Sequence, residues 1–347
     1  MIGTLEKERI LSRADFKELL SSITQKDREL LFERARGVRH AVYGRDVFVR
    51  GLIEFSNYCK NDCYYCGIRR SNTKASRYRL TTEEILESCQ IAYENGFRTF
   101  VLQSGEDAYF TDKKIVDLVK EIRSLFPSCA ITLSIGERDK KAYQDFFDAG
   151  AERYLLREES ANPVHYATLH PSGQSLASRK RALFNLKEIG YQVGCGFMVG
   201  SPYQTLDHII DDLIFIHDLD PQMVGIGPFI PHQDTPFAKA DTGSVDLTLT
   251  LLAIIRLMIP TVLLPTTTAL ATLQVDGRIR GILAGANVVM PNITPLSVRK
   301  KYLIYDNKAC TDLEAAEGFN EMKKQLADVG YQVVISRGDC ASFRKGI

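Results

Sequence analysis

Three of the eight cysteines stand close together, as Cys59-x₃-Cys63-x₂-Cys66. Thiolates are soft ligands, and three of them on one short loop suit a metal site that keeps one coordination position open. A structural zinc site needs four ligands, and no fourth Cys or His stands at a suitable spacing nearby. A redox pair of Cys63 and Cys66 would leave Cys59 unused. The spacing therefore predicts an iron–sulfur cluster, in which three cysteines on a four-iron cube leave one iron free to bind another molecule.

Other residues that can bind or react follow strand-like runs all along the chain. They are Ser56 and Asn57, Gln103 to Glu106, Ser134 and Glu137, Arg157 and Glu159, Pro228 and His232, Thr266 to Thr268, and Asn292. A barrel of parallel strands gathers side chains from many strand ends at one mouth. We therefore expect these residues to surround one site. The other five histidines stand among polar helix or loop residues, and we expect them to be exposed.

The stretch 47–292 repeats one unit, in which a β-branched or aromatic run is followed by a loop and then by an amphipathic helix. The eight runs are VFVRGLIEF, RTFVLQS, AITLSIG, ERYLLRE, YQVGCGFMVG, QMVGIGP, TVLLPTT and ANVVMPN. Eight strands alternating with helices, over this length, are typical of a (β/α)₈ TIM barrel. A doubly wound open sheet is the alternative, and the polar residues at the strand ends favour the barrel.

We predict three parts of the chain around this repeat. Residues 1–45 form an N-terminal helical extension, residues 46–295 the α/β barrel, and residues 296–347 a short C-terminal extension packed on the barrel. In the first part, Ser12 is placed to cap one helix, and a second helix begins at Thr24 or Lys26. The last part contains one more helix and the apolar run YQVVIS.

The composition limits the classes of function. The 347 residues carry 44 Lys and Arg against 43 Asp and Glu, so no basic excess is available for general nucleic-acid binding. The longest apolar run, residues 247–265, is interrupted by Arg256 and Pro260 and does not predict a membrane span. The N-terminus is charged where a signal peptide is apolar. We expect a cytoplasmic globular protein, in which cysteines are ligands, catalysts or core residues rather than disulfides.

The cysteine loop resembles the signature of the radical S-adenosylmethionine (SAM) superfamily, C-x₃-C-x-aromatic-C, with Tyr65 before the last cysteine. The resemblance implies a barrel whose cluster loop follows the first strand, as here. It also implies one oxygen-sensitive [4Fe–4S] cluster, to whose open iron SAM binds through its amino and carboxylate groups. Reductive cleavage of SAM then yields a 5′-deoxyadenosyl radical, and Tyr65 would contact adenine. The alternative for Tyr65 is an aromatic residue that fills the barrel top.

Further strand ends resemble the superfamily in chain order. Ser104-Gly105-Glu106 is similar to its GGE motif, whose acceptors receive the SAM ammonium. By the same resemblance, Arg157 would bind the SAM carboxylate, and Glu159 the ribose hydroxyls or the sulfonium. A solvated salt bridge is the alternative for that pair. The remaining positions that we assign to SAM are Gln103, Ser134, Arg179 and Met198.

A narrower resemblance covers roughly residues 38–295. The stretches FSNYCKNDCYYCG, RYRLTTEEI, VLQSGED, RYLLREESANP, GFMVGSPYQT, GIGPFIPHQDTP and GANVVMPNITP are similar to the HydE family of [FeFe]-hydrogenase maturases. This resemblance implies a role in assembling the hydrogenase di-iron subcluster, with a cysteine-bound iron carbonyl cyanide complex as the substrate. It implies other hydrogenase maturases and a low-potential electron donor as partners. Biotin synthase and methylornithine synthase share the barrel and the cysteine loop, but GIGPFIPHQDTP and NVVMPNITP favour the HydE family.

Residues lower in the predicted barrel are candidates for binding the substrate. They are Met223, His232, Thr266, Thr267, Thr268, Met290 and Asn292. Buried hydroxyl and amide groups need partners, which a polar, anionic ligand would supply. The alternatives are that Thr is a good strand former and that Met packs in cores. We assign no catalytic residue beyond the cluster and SAM.

Two other functions stay open at this point. One is a radical SAM mutase of the methylornithine synthase type, which acts on lysine. The other is a non-enzymatic iron–sulfur carrier, which would not depend on SAM.

A second cluster is not expected. Some HydE proteins carry one on three further cysteines near the C-terminus. Only Cys310 matches that pattern, because residues 313–323 contain no cysteine and Cys340 lies 30 residues further on. One thiolate does not hold an iron–sulfur cluster.

Overall fold

The computed structural model describes residues 1–309 and 315–343. The strands are β1 (Asp46–Val49), β2 (Gly51–Ser56), β3 (Thr99–Ser104), β4 (Ala130–Ser134), β5 (Arg153–Leu155), β6 (Gln192–Cys195), β7 (Met198–Val199), β8 (Met223–Val224), β9 (Gly227–Pro228), β10 (Val288–Val289) and β11 (Gln332–Val334). The helices are α1 (Ile2–Glu8), α2 (Arg13–Ser22), α3 (Gln25–Tyr43), α4 (Thr82–Glu94), α5 (Asp112–Leu125), α6 (Lys140–Ala149), α7 (Pro163–Leu169), α8 (Leu176–Ile189), α9 (Leu206–Leu219), α10 (Val245–Met258), α11 (Thr268–Leu273), α12 (Gly277–Leu283), α13 (Leu296–Arg299) and α14 (Ala315–Asp328).

The strands close into a barrel. Six of them form one parallel sheet in the order β2-β3-β4-β5-β6-β8. Parallel bridges then run from Met223 to Leu263 and from Pro265 to Val288. A last parallel bridge, from Leu52 to Asn292, returns to β2 and joins the two edges. The predicted (β/α)₈ TIM barrel is confirmed, and the open sheet is excluded because no free edge remains between β8 and β2.

Several predicted strands are shorter than their apolar runs. YQVGCGFMVG and QMVGIGP each break into two pieces, β6 with β7 and β8 with β9. The break occurs where the backbones of Gly196 and Gly225 touch, since a Cβ on Gly196 would lie 2.0 Å from the Gly225 carbonyl oxygen. Gly196 has φ +150°, which favours glycine. The run TVLLPTT contributes only the two bridges at Leu263 and Pro265.

The N-terminal helices begin where their caps predict. The Ser12 side chain accepts a hydrogen bond from the Asp15 N–H at the start of α2. Thr24 and Asp27 form a reciprocal capping box at the start of α3. The extension is attached to the barrel through ion pairs from α2 to α9, such as Lys17 Nζ to Asp207 at 2.8 Å.

The C-terminal segment covers the amino ends of the barrel strands. β11 pairs in parallel with β1. Beyond it, Asp339 accepts hydrogen bonds from the buried Arg153 at 2.7 Å and from Gln192 at 2.8 Å. The Cys340 thiol is buried and lies 3.0 Å from the Thr261 carbonyl oxygen. Cys310 lies outside the described residues.

Long apolar helices in this fold are packed inside it. Residues Thr248 to Met258 of α10 are all buried against the barrel and the N-terminal helices. Among the helices of the described residues, none combines the length and the apolar character needed to cross a membrane.

Candidate functional site

A cavity of about 360 Å³ opens at the carboxyl ends of the barrel strands, beneath the cysteine loop. Most of the residues that the sequence assigned to the site line it. They are Cys59, Cys63, Cys66, Tyr65, Gln103, Ser104, Gly105, Glu106, Ser134, Arg157, Glu159, Arg179, Met198, Thr266, Thr267, Thr268 and Met290. Strand ends that are far apart in the sequence, from Cys59 to Met290, therefore meet at one place, as the closed barrel requires.

The three cysteines of the loop are half-buried, free thiols at the top of this cavity. Burial raises the pKa of Cys63 to about 12 and raises the pKa of Cys59 and of Cys66 as well. Burial disfavours thiolates because it removes their solvation, so a positive centre is needed to ionise them together. A bound metal supplies that charge and deprotonates coordinating thiols.

The arrangement of these thiols suits a cluster better than one ion. In the described residues, no group of three His, Cys, Asp or Glu side chains has the arrangement that holds a single metal ion. Three cysteines that hold an iron–sulfur cluster bind separate irons and need no such close approach. The donor set therefore fits a cluster with three protein ligands.

Gly105 lets the strand after the cysteine loop approach it closely. A Cβ at Gly105 would lie 2.2 Å from the Tyr58 carbonyl oxygen and 2.8 Å from Cys59 Cβ. The next residue, Glu106, is buried, and its side chain accepts from the Glu137 N–H at 3.1 Å and pairs with Lys60 at 3.1 Å. The SGE stretch thus places a carboxylate beside the first cysteine.

Arg157 and Glu159 stand at the cavity wall with unused hydrogen-bonding capacity. Arg157 Nη2 lies 3.0 Å from Glu159 Oε2, yet neither atom makes a hydrogen bond of good geometry, and Arg157 Nε is also unpartnered. Both residues line the cavity, and Glu159 is buried. Glu159 also has φ +62°, which strains a non-glycine residue and is common at functional sites. The Arg157 side chain is 30% exposed and that of Glu159 is 11% exposed, so the pair is only partly solvated.

Arg179, from α8, supports this wall from behind. It pairs with Glu137 at 2.5 Å and donates to the Arg157 carbonyl oxygen. Burial alone would lower the pKa of Arg179, but Tyr166 and Glu137 beside the guanidinium raise it. Arg179 therefore remains a fixed positive charge beneath Arg157 and Glu159.

Tyr65 packs on a histidine that the sequence analysis expected to be exposed. The Tyr65 hydroxyl lies 3.3 Å from His170 Nε2, and the two rings meet edge to face. His170 is buried and stacks on Tyr166. His165 is also buried, so the expectation of exposure is wrong for both. Burial lowers the pKa of each ring to about 4 and keeps it neutral.

The cavity wall also carries hydroxyls without hydrogen-bond partners. Thr266 Oγ1 and Thr267 Oγ1 are buried and make no hydrogen bond. Met290 also lines the cavity. Buried hydroxyls in native proteins are normally satisfied, so a ligand with polar atoms fits this position.

The structure does not place three predicted substrate residues on the cavity wall. Met223 begins β8 and so lies at the amino end of the barrel, where it packs with Phe48, Leu263 and Cys340. His232 is buried outside the cavity, because its loop folds back against Gly67. Asn292 bonds instead to a residue that does line the cavity, Glu54, at 2.8 Å.

Sequence reasoning missed a buried ion pair in the cavity. Glu54 of β2 pairs with Lys308, both are buried, and both line the cavity with Tyr302 and Tyr305. Glu54 shares one face of β2 with Leu52 and Ser56, because side chains two residues apart on a strand point the same way. That period of two could have shown that Glu54 points inward. No local signal identifies Lys308, which reaches the cavity from the segment after the barrel.

The site agrees with what comparisons with known proteins show. Residues 53–216 match the family model of the Radical SAM superfamily. The [FeFe] hydrogenase maturase subunit HydE of Thermotoga maritima is 46% identical over 308 residues, which cover 88% of this chain and 88% of that protein. The chain belongs to the radical SAM superfamily, and within it to the HydE family.

Three further proteins share less of the sequence with this chain. The 3-methylornithine synthase of Methanosarcina acetivorans is 32% identical over 80% of this chain and 79% of its own. The crystal structure of methylornithine synthase (PylB) has a TM-score of 0.83 and 28% identity, with 100% of both chains covered. The crystal structure of HydG, a maturase of the [FeFe]-hydrogenase, covers 99% of this chain and 77% of its own with a TM-score of 0.82. At 21% identity, that likeness shows the fold alone.

Membership in the superfamily makes the protein a radical SAM enzyme and implies a [4Fe–4S] cluster and SAM as cofactors. The residues present fit both groups. Three thiols stand on one loop, and unpartnered polar atoms of Arg157 and Glu159 stand at the wall of the same cavity.

Proposed function

We propose that this radical SAM enzyme acts in the assembly of the di-iron subcluster of [FeFe]-hydrogenase, on a cysteine-bound iron carbonyl cyanide complex. The observation that carries the proposal is the single cavity that joins the three thiols to unpartnered buried groups of Arg157, Thr266 and Thr267. The similarity to a HydE protein over 88% of the chain supports this substrate class rather than another.

The upper cavity would hold the cofactors. Cys59, Cys63 and Cys66 would bind one [4Fe–4S] cluster, and no second cluster is part of the proposal. When bound, the cluster and SAM together supply a 5′-deoxyadenosyl radical by reductive cleavage of SAM. The chain's own residues fix the geometry, because oriented groups that need no rearrangement stabilise a bound ligand best.

Each side chain of the upper cavity has a distinct part in orienting SAM. Glu106 and nearby carbonyl groups accept from the ammonium, and Arg157 donates to the carboxylate. Glu159 accepts from the ribose or balances the sulfonium. Tyr65, held by His170 at 3.3 Å, contacts adenine. Gln103, Ser134, Arg179 and Met198 complete this wall.

The lower cavity would hold the substrate and keep water away from the radical. Thr266 and Thr267 offer two hydroxyls without partners, and Thr268 and Met290 stand beside them. The Glu54–Lys308 pair lines the same space. A radical site gains from such enclosure because the cofactor supplies the reactive atom and the protein supplies orientation and exclusion of solvent.

The proposal includes partners and a compartment. Other hydrogenase maturases would deliver the substrate and take the product, and a low-potential donor would supply electrons. All seven cysteines in the described residues are free thiols, which supports a reducing compartment such as the cytoplasm.

An anaerobic maturation assay tests this proposal. Apo-hydrogenase is incubated with the other maturases, SAM and a reductant in three reactions. One reaction lacks this protein, one contains the unaltered protein, and one contains the Cys63→Ala variant. Hydrogen evolution should appear only with the unaltered protein. Activity without it, or with Cys63→Ala at the normal level, would contradict the proposal.

A mutase acting on lysine is the second candidate, because methylornithine synthases share 32% identity and the fold. Incubation of the reconstituted protein with SAM, reductant and lysine distinguishes the two. Our proposal predicts no methylornithine in the mass spectrum, whereas the mutase produces it.

A further inference from the structure

The cysteine loop is long and has no regular structure of its own. Residues 57–78, between β2 and α4, form neither helix nor strand. Connections of this length without secondary structure are uncommon in compact domains and are often functional. The polar backbone groups of such a loop need partners outside a helix or a sheet. In this loop, side chains supply several of those partners.

Arg77 joins the two ends of the part that carries the cysteines. Its Nη1 donates to the Asn57 carbonyl oxygen at 2.5 Å and to that of Ile68 at 2.9 Å. Its Nη2 donates to the Arg69 carbonyl oxygen at 2.7 Å and to that of Asn72 at 3.0 Å. Asn57 precedes all three cysteines, and the other three residues follow them. One guanidinium therefore ties the two ends of residues 57–72 together.

The charge of Arg77 is met by these carbonyl groups rather than by a carboxylate. Arg69, in the same loop, pairs with Asp62 at 2.8 Å, whereas no ion pair within the described residues involves Arg77. A planar guanidinium offers a rigid fork of donors, whereas a lysine ammonium is a compact point charge. The contacts with carbonyl oxygens on both sides of the cysteines therefore suit an arginine specifically.

The second half of the loop is held as one piece. The Asp62 carboxylate accepts from Arg69 Nε at 2.8 Å and from the Ser71 N–H at 3.0 Å. These donors, Arg69 above all, hold the pKa of Asp62 well below its usual range. Residues 62–71 include the second and third cysteines. Arg77 thus ties an ordered piece of the loop to the end of β2.

Arg77 lies outside the cavity. It is not among the residues that line the cavity, whereas Cys59, Cys63 and Cys66 all line it. A substitution at Arg77 therefore removes no contact with a ligand in the cavity. Its contacts act on the backbone that carries the three thiols.

We propose that Arg77 is a positioning residue, which holds the cysteine loop in its cluster-binding arrangement before the cluster is bound. This inference rests on the proposed function, in which Cys59, Cys63 and Cys66 bind the [4Fe–4S] cluster. Fixing a flexible loop costs conformational entropy, so a loop that is ordered in advance binds its ligand more tightly. With Arg77 in place, the three thiols stand near their final positions in the protein that lacks iron.

The reactivity of the thiols tests the proposal on the protein without its cluster. Alkylation by iodoacetamide is followed for each cysteine by peptide mass spectrometry under anaerobic conditions. The samples are the unaltered protein, Arg77→Ala and Arg77→Lys. Cys89, a buried core thiol, reports on unfolding of the whole protein in the same samples.

We expect Cys59, Cys63 and Cys66 to react about tenfold faster in both Arg77 variants, because the loss of hydrogen bonds from a charged donor favours local opening of the loop. Cys89 should react at the same rate in all samples. Arg77→Lys should behave like Arg77→Ala, since an ammonium does not span both ends of the loop. After reconstitution, both variants should release iron to a chelator about tenfold faster than the unaltered protein.

Arg123 provides a matched control at the other end of the barrel. Its guanidinium also donates to backbone carbonyl oxygens, those of Pro127, Cys129 and Gly150. Arg123→Ala and Arg123→Lys remove contacts of the same kind away from the cysteine loop. Both should show normal alkylation of the loop thiols and normal iron release. The EPR spectrum of the reduced cluster should change in the Arg77 variants and stay normal in the Arg123 variants.

Three results would overturn the proposal. Unchanged alkylation of the loop thiols in Arg77→Ala would show that the loop keeps its arrangement without the fork. Normal behaviour of Arg77→Lys would show that only the charge matters, which opposes the rise in the pKa of Cys59 that burial causes. Equal effects of Arg123→Ala on the loop thiols would show a general loss of stability.

The proposed function can fail separately. If the unaltered protein binds no iron after reconstitution, the assignment of the cluster to the three cysteines is contradicted. The alkylation rates of the protein without iron still decide the role of Arg77 in that case.

Discussion

At the scale of single residues, Arg157 is the side chain whose unused groups are most informative. Its Nε and Nη2 are buried at the cavity wall and make no hydrogen bond, although Nη2 lies 3.0 Å from Glu159 Oε2. If it binds the SAM carboxylate, Arg157→Ala should weaken SAM binding roughly ten- to a hundred-fold, because a charge-assisted hydrogen bond contributes about 1.5–3 kcal/mol. Equilibrium dialysis with the reconstituted protein measures this, and the iron content should stay unchanged.

The control for that substitution is Arg34→Ala, since Arg34 is exposed on α3 and lies 3.7 Å from Glu6. Glu159→Ala should weaken SAM binding in the same direction as Arg157→Ala. Equal SAM affinities in all three variants would mean that Arg157 and Glu159 form only a structural ion pair.

Glu158 stands between Arg157 and Glu159 in the sequence, and both it and Asp212 are buried carboxyl groups. Burial raises the pKa of Glu158 from 4.5 to about 7 and raises the pKa of Asp212 well above its usual range. Each takes one backbone N–H, from Gly196 and from Ala161, and each leaves one oxygen without a partner. We infer that both are protonated in the folded protein at weakly acidic pH.

The pH dependence of stability follows from that shift. Between pH 4.5 and about 7 the folded protein keeps a proton on Glu158 that the unfolded chain has released, so stability falls as the pH rises. Glu158→Gln removes this dependence. As the pH is raised through this range, the melting temperature of the variant should rise relative to that of the unaltered protein. A constant difference between the two melting temperatures would contradict the inference.

Which site residues the sequence revealed depends on how local their signal was. The three cysteines lie within eight residues of one another, so their pattern can be recognised without knowing the fold. Met223 is the first residue of β8 and packs at the amino end of the barrel, away from the cavity. The apolar run QMVGIGP does not show by itself where its strand begins. Lys308 was missed because the chain path that returns it to the barrel has no local pattern. The expectation that His170 is exposed was wrong, because this side chain packs against Tyr65.

At the scale of elements, the eight apolar runs predicted the barrel because each run needs cover on both faces. Their true lengths could not be predicted, since they depend on where neighbouring backbones touch, as at Gly196 and Gly225. That the C-terminal segment with β11 covers the amino ends of the barrel strands could not be predicted either. It depends on Asp339 meeting Arg153, from 186 residues away in the sequence.

Asp339 therefore offers a test of how the C-terminal segment is held. Arg153 is fully buried, and its attraction holds the pKa of Asp339 well below the usual range against the effect of burial. Asp339→Asn would leave that guanidinium without its carboxylate, which costs about 3 kcal/mol in buried pairs. Urea unfolding should show this loss, while Asp328→Asn on α14 should unfold as the unaltered protein does.

A small effect of Asp339→Asn on the free energy of unfolding, similar to that of Asp328→Asn, would show that the segment is held by β11 alone. The substitution lies at the opposite end of the barrel from the thiols. We therefore expect normal iron content and SAM cleavage in the folded variant.

At the scale of the whole molecule, the closed barrel brings strand ends that are distant in the sequence together around one cavity, with the thiols at its top. We expect the three cysteines of that cavity to support radical generation from SAM, with no other cysteine needed. Cys89 is a buried thiol in the core of the same chain, and Cys310 lies outside the described residues. Both serve as internal controls.

The decisive measurement is 5′-deoxyadenosine formation after anaerobic reconstitution and reduction, with iron counted in the same samples. We expect about four irons per chain, the number in one cluster, and 5′-deoxyadenosine from the unaltered protein, Cys89→Ala and Cys310→Ser. Cys59→Ala, Cys63→Ala and Cys66→Ala should each lose 5′-deoxyadenosine formation. Normal SAM cleavage by any of these three, or a clear loss of iron in Cys310→Ser, would contradict the account.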